Sequence, residues 1–262
     1  MDVGALRARL ERDRKEGLRP MAVVATLGTT GTGGIDPLAA IAEVCARHSV
    51  WFHVDACYGG AALLLPELRG RFVGVERADS VAIDPHKWFF IPMTAGLLLV
   101  REPRHAREMF DEAASYIPTE EADAWRSGIP TSRRASGFVI WMGLRAHGWS
   151  TIREAVRRNI ALARRLEQGL RAAGLEILPD GELSVACARW PTEGLSAEAA
   201  EALQGEISRR VCESGRAWFA TVRHQGRSWL RFNLVNLHVQ THHVERMIEL
   251  VTGALTPAHS GR

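Results

Sequence analysis

The chemistry in this chain concentrates at a lysine and an aspartate. Lys87 lies in Ile83-Asp84-Pro85-His86-Lys87-Trp88, followed by Phe89 and Phe90. The preceding run, Ser80-Val81-Ala82-Ile83, is apolar and reads as a buried strand that Pro85 ends. Lys87 is thereby placed just past a strand end, where open α/β sheets keep their ligand crevice. A lysine among a proline, a histidine and three aromatic rings is poorly suited to a solubilising role. Burial there would disfavour the ammonium form and free the lone pair for attack on a carbonyl. The alternative is a lysine whose stem passes the rings and reaches water.

Val50-Trp51-Phe52-His53-Val54-Asp55 reads as another strand, followed by Ala56-Cys57-Tyr58-Gly59-Gly60. Alternation along a strand puts His53 and Asp55 on one face, with Asp55 at the strand end. If the two strands are near neighbours, an amine and a carboxylate can grip opposite ends of one ligand. Pyridoxal phosphate needs such a pair: an amine to tether its aldehyde as a Schiff base, and a carboxylate to keep its pyridine nitrogen protonated. Asp55 also has a plainer reading, as a cap for the turn that follows it.

Three stretches together, Ala25-Thr26-Leu27-Gly28-Thr29-Thr30, His53-Val54-Asp55-Ala56 and Asp84-Pro85-His86-Lys87-Trp88, resemble the group II pyridoxal-phosphate decarboxylases. The aromatic-L-amino-acid decarboxylases are the nearest in pattern. The resemblance runs along the whole chain and corresponds to the C-terminal half of a family member. It implies a fold-type I, transferase-like α/β architecture. Residues 1–134 would form part of the cofactor-binding large domain, with a mostly parallel sheet, and 135–262 a small α+β domain. It implies Lys87 and Asp55 as catalytic and cofactor-binding residues, and Thr26 within reach of the cofactor. Cys57 would pack beneath the pyridine ring, where the family usually has alanine. His86 would contact phosphate or substrate carboxylate, or else stand behind the site. Asp84 is not expected as a phosphate ligand, because two anions repel.

The implied reaction is α-decarboxylation of an aromatic or related L-amino acid that displaces Lys87 from the cofactor. Two departures from the family pattern bear on it. Family members carry a loop tyrosine thought to protonate the carbanion, and residues 117–130 hold no tyrosine. Oxidative deamination to an aldehyde, or other chemistry at the α- or β-carbon, is the alternative outcome. The N-terminal half of the family fold is also absent. A second polypeptide is therefore expected to supply it, in a dimer or heterotetramer. A non-catalytic scaffold subunit and an aminotransferase-like enzyme are the competing readings.

The elements that must position these residues follow from periodicity. A charged helix is expected over Val3 to Gly17, a strand over Met21 to Leu27, and a helix to His48 with Asp36 as N-cap. Between strand and helix, residues 28–34 form a Gly- and Thr-rich turn whose amides could cradle phosphate. A strand over 95–100 closes the first half. A helix over 104–114, an irregular loop over 115–130 and a basic segment, Thr131-Ser132-Arg133-Arg134, come next. The arginines suit a subunit interface or a solvated face. Helices over 135–147, 151–173, 197–212 and 241–255 alternate with strands over 184–188, 218–222 and 229–234. His238, His242 and His243 read as surface histidines. The 262 residues are 46% apolar, with a net charge of +3 too mild to argue for nucleic acid. Four scattered cysteines, Cys45, Cys57, Cys187 and Cys212, fit a reducing cytoplasm. No signal peptide is expected, and no apolar run approaches the ~20 residues that span a bilayer.

Overall fold

The computed structural model describes residues 1–92, 96–110, 124–129, 132, 134–179 and 181–254. Helix α1 (Val3–Lys15) begins at Asp2, whose carboxylate accepts from the Ala5 amide at 2.8 Å. Strand β1 (Ala22–Thr26), helix α2 (Leu38–His48) and strands β2 (Trp51–Asp55), β3 (Ser80–Ile83) and β4 (Leu97–Val100) follow. They form one sheet in chain order, with the first three strands parallel and β4 antiparallel to β3. The reversed last strand suits its short connection from β3, since parallel neighbours need a longer crossover.

Burial alternates along these strands. Val23, Ala25, Phe52 and Val54 are buried in a core shared with Ile41 and Val44 of α2. Val24 on the other face of β1 is 53% exposed. Parallel sheets are normally covered on both faces. Here, among the described residues, one face of β1 is uncovered and the outer edges of β1 and β4 pair with nothing.

One expectation about the turn after β1 is corrected. Asp36 is not the N-cap of α2; Pro37 occupies that position. The Asp36 carboxylate reaches back instead, accepting from the Thr26 amide at 2.8 Å. Four amides of the glycine-rich turn are engaged within it. Gly28 and Thr29 donate to the Gly34 carbonyl, Gly33 to the Thr29 carbonyl, and Gly34 to the Thr29 hydroxyl. Its glycines serve close packing. A Cβ on Gly28 (φ 91°) would strike Leu183 and Tyr58.

Helix α3 (Pro85–Trp88) is a single turn, and α4 (Pro103–Phe110) follows β4. The remainder of the helix expected over 104–114 lies outside the described residues, as do most of the 115–130 loop, Thr131 and Arg133. Helices α5 (Ser136–His147) and α6 (Trp149–Ala172) meet at Gly148, whose φ of 74° suits glycine alone at low cost. A second sheet holds β5 (Glu176–Ile177), β6 (Val185–Arg189), β7 (Ala220–His224) and β8 (Arg227–Asn233). It is antiparallel throughout, in the order β5-β6-β8-β7. The two-residue β5 is too short for periodicity to register. Helices α7 (Ala197–Glu213) and α8 (Thr241–Gly253) complete this half. His243 accepts from the Gln240 amide at 3.1 Å and so caps α8, with the His242 ring tilted against it. No described helix is long and apolar enough to cross a membrane.

Helix α6 joins the two cores. Ile152 and Val156 belong to the first, and Leu162, Leu166 and Leu170 to the second. Polar bolts reinforce the joint. The buried Tyr58 hydroxyl shares a 2.6 Å hydrogen bond with the Ser184 hydroxyl and accepts from the Ser184 amide at 2.9 Å. Arg231 of β8 donates through Nε to the Thr30 carbonyl at 2.7 Å.

One buried charge tests the second half. Arg189 is 2% exposed, and its Nη1 lies 3.0 Å from Glu201 Oε1. The Ser228 amide, and then Arg189, hold the Glu201 carboxyl below its ordinary pKa. A depressed pKa contributes stability above the unfolded value and loses it as pH falls. Glu201→Gln is therefore expected to cost about 2 kcal/mol at neutral pH. Urea denaturation should show that difference shrinking as pH drops below about 4.

Candidate active site

Backbone register sets the geometry. Thr26 pairs with Asp55, and Asp55 with Ala82. The carboxyl ends of β1, β2 and β3 therefore stand side by side, with neighbouring strands about 4.8 Å apart. Asp84 and Pro85 then turn the chain into α3, where proline at the first helical position costs no hydrogen bond. The Lys87 amide donates to the Asp84 carbonyl at 3.1 Å.

A chain of polar contacts joins the residues singled out in the sequence. The Cys57 amide donates to Asp55 Oδ1 at 3.0 Å. The Asp84 amide donates to the Cys57 carbonyl at 3.2 Å. Lys87 Nζ lies 2.9 Å from Asp84 Oδ2. Asp55 thus does cap its own turn, and it does so from a strand end adjoining the one that leads to Lys87. His53, on the same face as Asp55, is taken up by Ser80, its Nδ1 lying 2.8 Å from that hydroxyl.

The expectation of a desolvated lysine is corrected. The Lys87 side chain is 38% exposed and ion-paired with Asp84. The apolar neighbours do not enclose it, because Trp88 turns into the core and is fully buried. The thiol of Cys57 is pushed up to about 12, by burial first and then by its hydrogen bond to Asp55; Asp84 adds to the rise and Lys87 opposes it. That rise favours the protonated thiol at neutral pH, and what Cys57 offers is small size. Among the described residues His86 Nδ1 is buried with no hydrogen-bond partner, and its Nε2 stands 4.0 Å from Asp84 Oδ2.

A cleft of about 660 Å³ opens beside Lys87 and His86, between the two halves of the chain. Of the residues inferred from sequence, these two line it. Asp55, Cys57 and Thr26 lie at the strand ends and are not among its lining residues. Tyr58, Phe90 and Ile91 come from the first half; Arg231, Asn233, Asn236 and His238 come from the second. Phe90 holds a φ of 59°, a strained conformation for an aromatic residue. Sequence reasoning missed Tyr58 and Arg231. A charged residue inside the apolar strand Trp229-Leu230-Arg231-Phe232 was the available signal for Arg231. Burial raises the Tyr58 phenol above its ordinary pKa, so it stays protonated.

Comparison with known proteins agrees with this geometry. The profile of the pyridoxal-dependent decarboxylase conserved domain matches residues 1–189. Tryptophan decarboxylase 1 of rice (Oryza sativa subsp. japonica) is 30% identical, over 98% of this chain and 52% of its own length. The crystal structure of Oryza sativa TDC with PLP and tryptamine superposes with a TM-score of 0.91 at 30% identity, over 97% of this chain and 54% of that one. The Rhodiola rosea 4-hydroxyphenylacetaldehyde synthase superposes with a TM-score of 0.88 at 27% identity, over 97% and 53%. The chain thus spans about half the length of the relatives it matches. On the motif, the strand-end geometry and these matches, the chain belongs to the pyridoxal-dependent decarboxylase family.

Proposed function

We propose that this chain holds pyridoxal phosphate between Lys87 and Asp55 and contributes the reactive amine for α-decarboxylation of an aromatic or related L-amino acid. One observation carries the reading: the strand bearing Asp55 and the strand leading to Lys87 are hydrogen-bonded neighbours, and both residues stand at the same sheet end. When bound, the cofactor supplies an electrophilic aldehyde and an electron-accepting ring. Lys87 is the primary amine for that aldehyde, and Asp84 keeps it within reach. Asp55 holds a proton at the ring nitrogen. Cys57 and Thr26 are small enough to let a flat ring approach the strand ends. The Nδ1 of His86, buried without a hydrogen-bond partner among the described residues, is a polar group that phosphate or a substrate carboxylate would satisfy. Arg231, across the cleft, is suited to a carboxylate.

A second reading has its own support. Residues 117–130 contain no tyrosine, and one structural relative is named as an aldehyde synthase. On that reading oxygen and water are consumed, and the products are an aldehyde, ammonia, carbon dioxide and hydrogen peroxide.

We further propose that the open edges of β1 and β4 and the uncovered face of β1 receive the other half of the family fold from a separate polypeptide, in a dimeric or heterotetrameric assembly. Exposed edges and apolar side chains such as Val24 and Leu98, 53% and 65% exposed, favour covering over solvation.

Lys87→Ala is expected to remove the visible absorbance band that bound cofactor gives, with the fold retained by circular dichroism. A band that survives in Lys87→Ala overturns the assignment. Asp55→Asn is expected to slow turnover about a hundredfold or more while cofactor still binds. Carboxyl-labelled amino acid should release labelled carbon dioxide, and amine or aldehyde in the product separates the two readings. Native mass spectrometry of the complex from its source should show a second, different polypeptide; a single longer chain carrying both halves would refute the split assembly.

A further inference from the structure

Trp88 follows Lys87 directly and is anchored on two sides. Its ring stacks on Tyr58, with centroids 5.1 Å apart and planes 13° apart. Its indole N–H donates to Oδ1 of Asn159 at 3.0 Å. Asn159 lies on α6, between the two cores, and is 0% exposed. Its Nδ2 donates to the Asn236 carbonyl at 3.1 Å. The neighbouring Arg158 donates to the Leu237 carbonyl. Asn236 and Leu237 line the same cleft as Lys87.

A buried carboxamide is costly unless its groups are paired, and an apolar side chain would fill this volume more cheaply. The indole N–H needs an acceptor and the Asn236 carbonyl needs a donor. An amide side chain offers both from one position; a carboxylate or an aliphatic group does not. We propose that Asn159 is a positioning residue. It pins the turn that carries Lys87 to the 236–237 segment of the other half, so that the amine and the cleft wall keep one spacing. The inference rests on Lys87 being the reactive amine.

Amide hydrogen exchange on the full chain in its native assembly tests this, with and without added pyridoxal phosphate. Asn159→Leu is expected to speed exchange roughly tenfold or more in peptides covering 84–91 and 235–239. Peptides from α7 and β7 should keep wild-type rates. Trp88→Phe, which keeps an aromatic ring toward Tyr58 and removes the indole N–H together with part of the indole's volume, should give the same pattern. The double variant should add nothing further, as coupled partners require. In the loaded assembly, induced circular dichroism of the cofactor should weaken in both variants while its absorbance band persists. Unchanged exchange at both segments overturns the proposal. So does equal acceleration along the whole chain, which loss of global stability alone would produce. If Asn159→Leu does not fold, Trp88→Phe carries the comparison by itself. A wild-type assembly with no Lys87-dependent band would refute the functional reading and leave the exchange result to stand separately.

Discussion

The parallel register of three short strands is the constraint on which the site depends. Thr26, Asp55 and Ala82 are aligned by backbone hydrogen bonds, and Asp55 and the turn bearing Lys87 hang from those ends. A slip of one residue would send Asp55 to the opposite face, because side chains alternate with period two. The buried positions on β1 and β2, Val23, Ala25, Phe52 and Val54, guard against that slip. They have one covered face to occupy, and a shifted strand would expose them. Hydrophobic patterning therefore sets the placement of a carboxylate that itself contributes little to packing.

The second half of the chain does more than cover the first. Tyr58 reaches Ser184, Arg231 reaches the turn after β1, and Asn159 reaches both Trp88 and Asn236. Each of these polar contacts crosses between elements far apart in sequence, at the border of the Lys87 cleft. In a low-dielectric interior, such bonds are costly to leave unmade, so they select one relative placement of the two halves. Apolar packing along α6 supplies the bulk of the attraction, and the polar contacts supply the register.

The sheet, by contrast, is unfinished within the described residues. Val24 and the outer pair Leu98 and Leu99 present apolar surface that a doubly covered α/β sheet would hide. At roughly 25 cal/mol per Å² of apolar area removed from water, covering these side chains would be favourable. The relatives of known structure are about twice as long.

Much of this was legible in the residues themselves. Lys87 and Asp55 stood out because an amine and a carboxylate, each just past an apolar strand, form a recognisable chemical pair. The strands and most helices were legible because burial imposes periods of two and of three to four on apolar residues. Sequence could not determine how exposed Lys87 is, since the direction in which Trp88 turns depends on a core assembled from distant segments. Nor could it show that four amides of the glycine-rich turn bond within the turn, or that Asp36 reaches back to Thr26. Tyr58, Asn159 and Arg231 were silent for the same reason. Their partners lie between 71 and 201 residues away along the chain, and only folding brings a hydrogen-bond donor to its acceptor across such a distance.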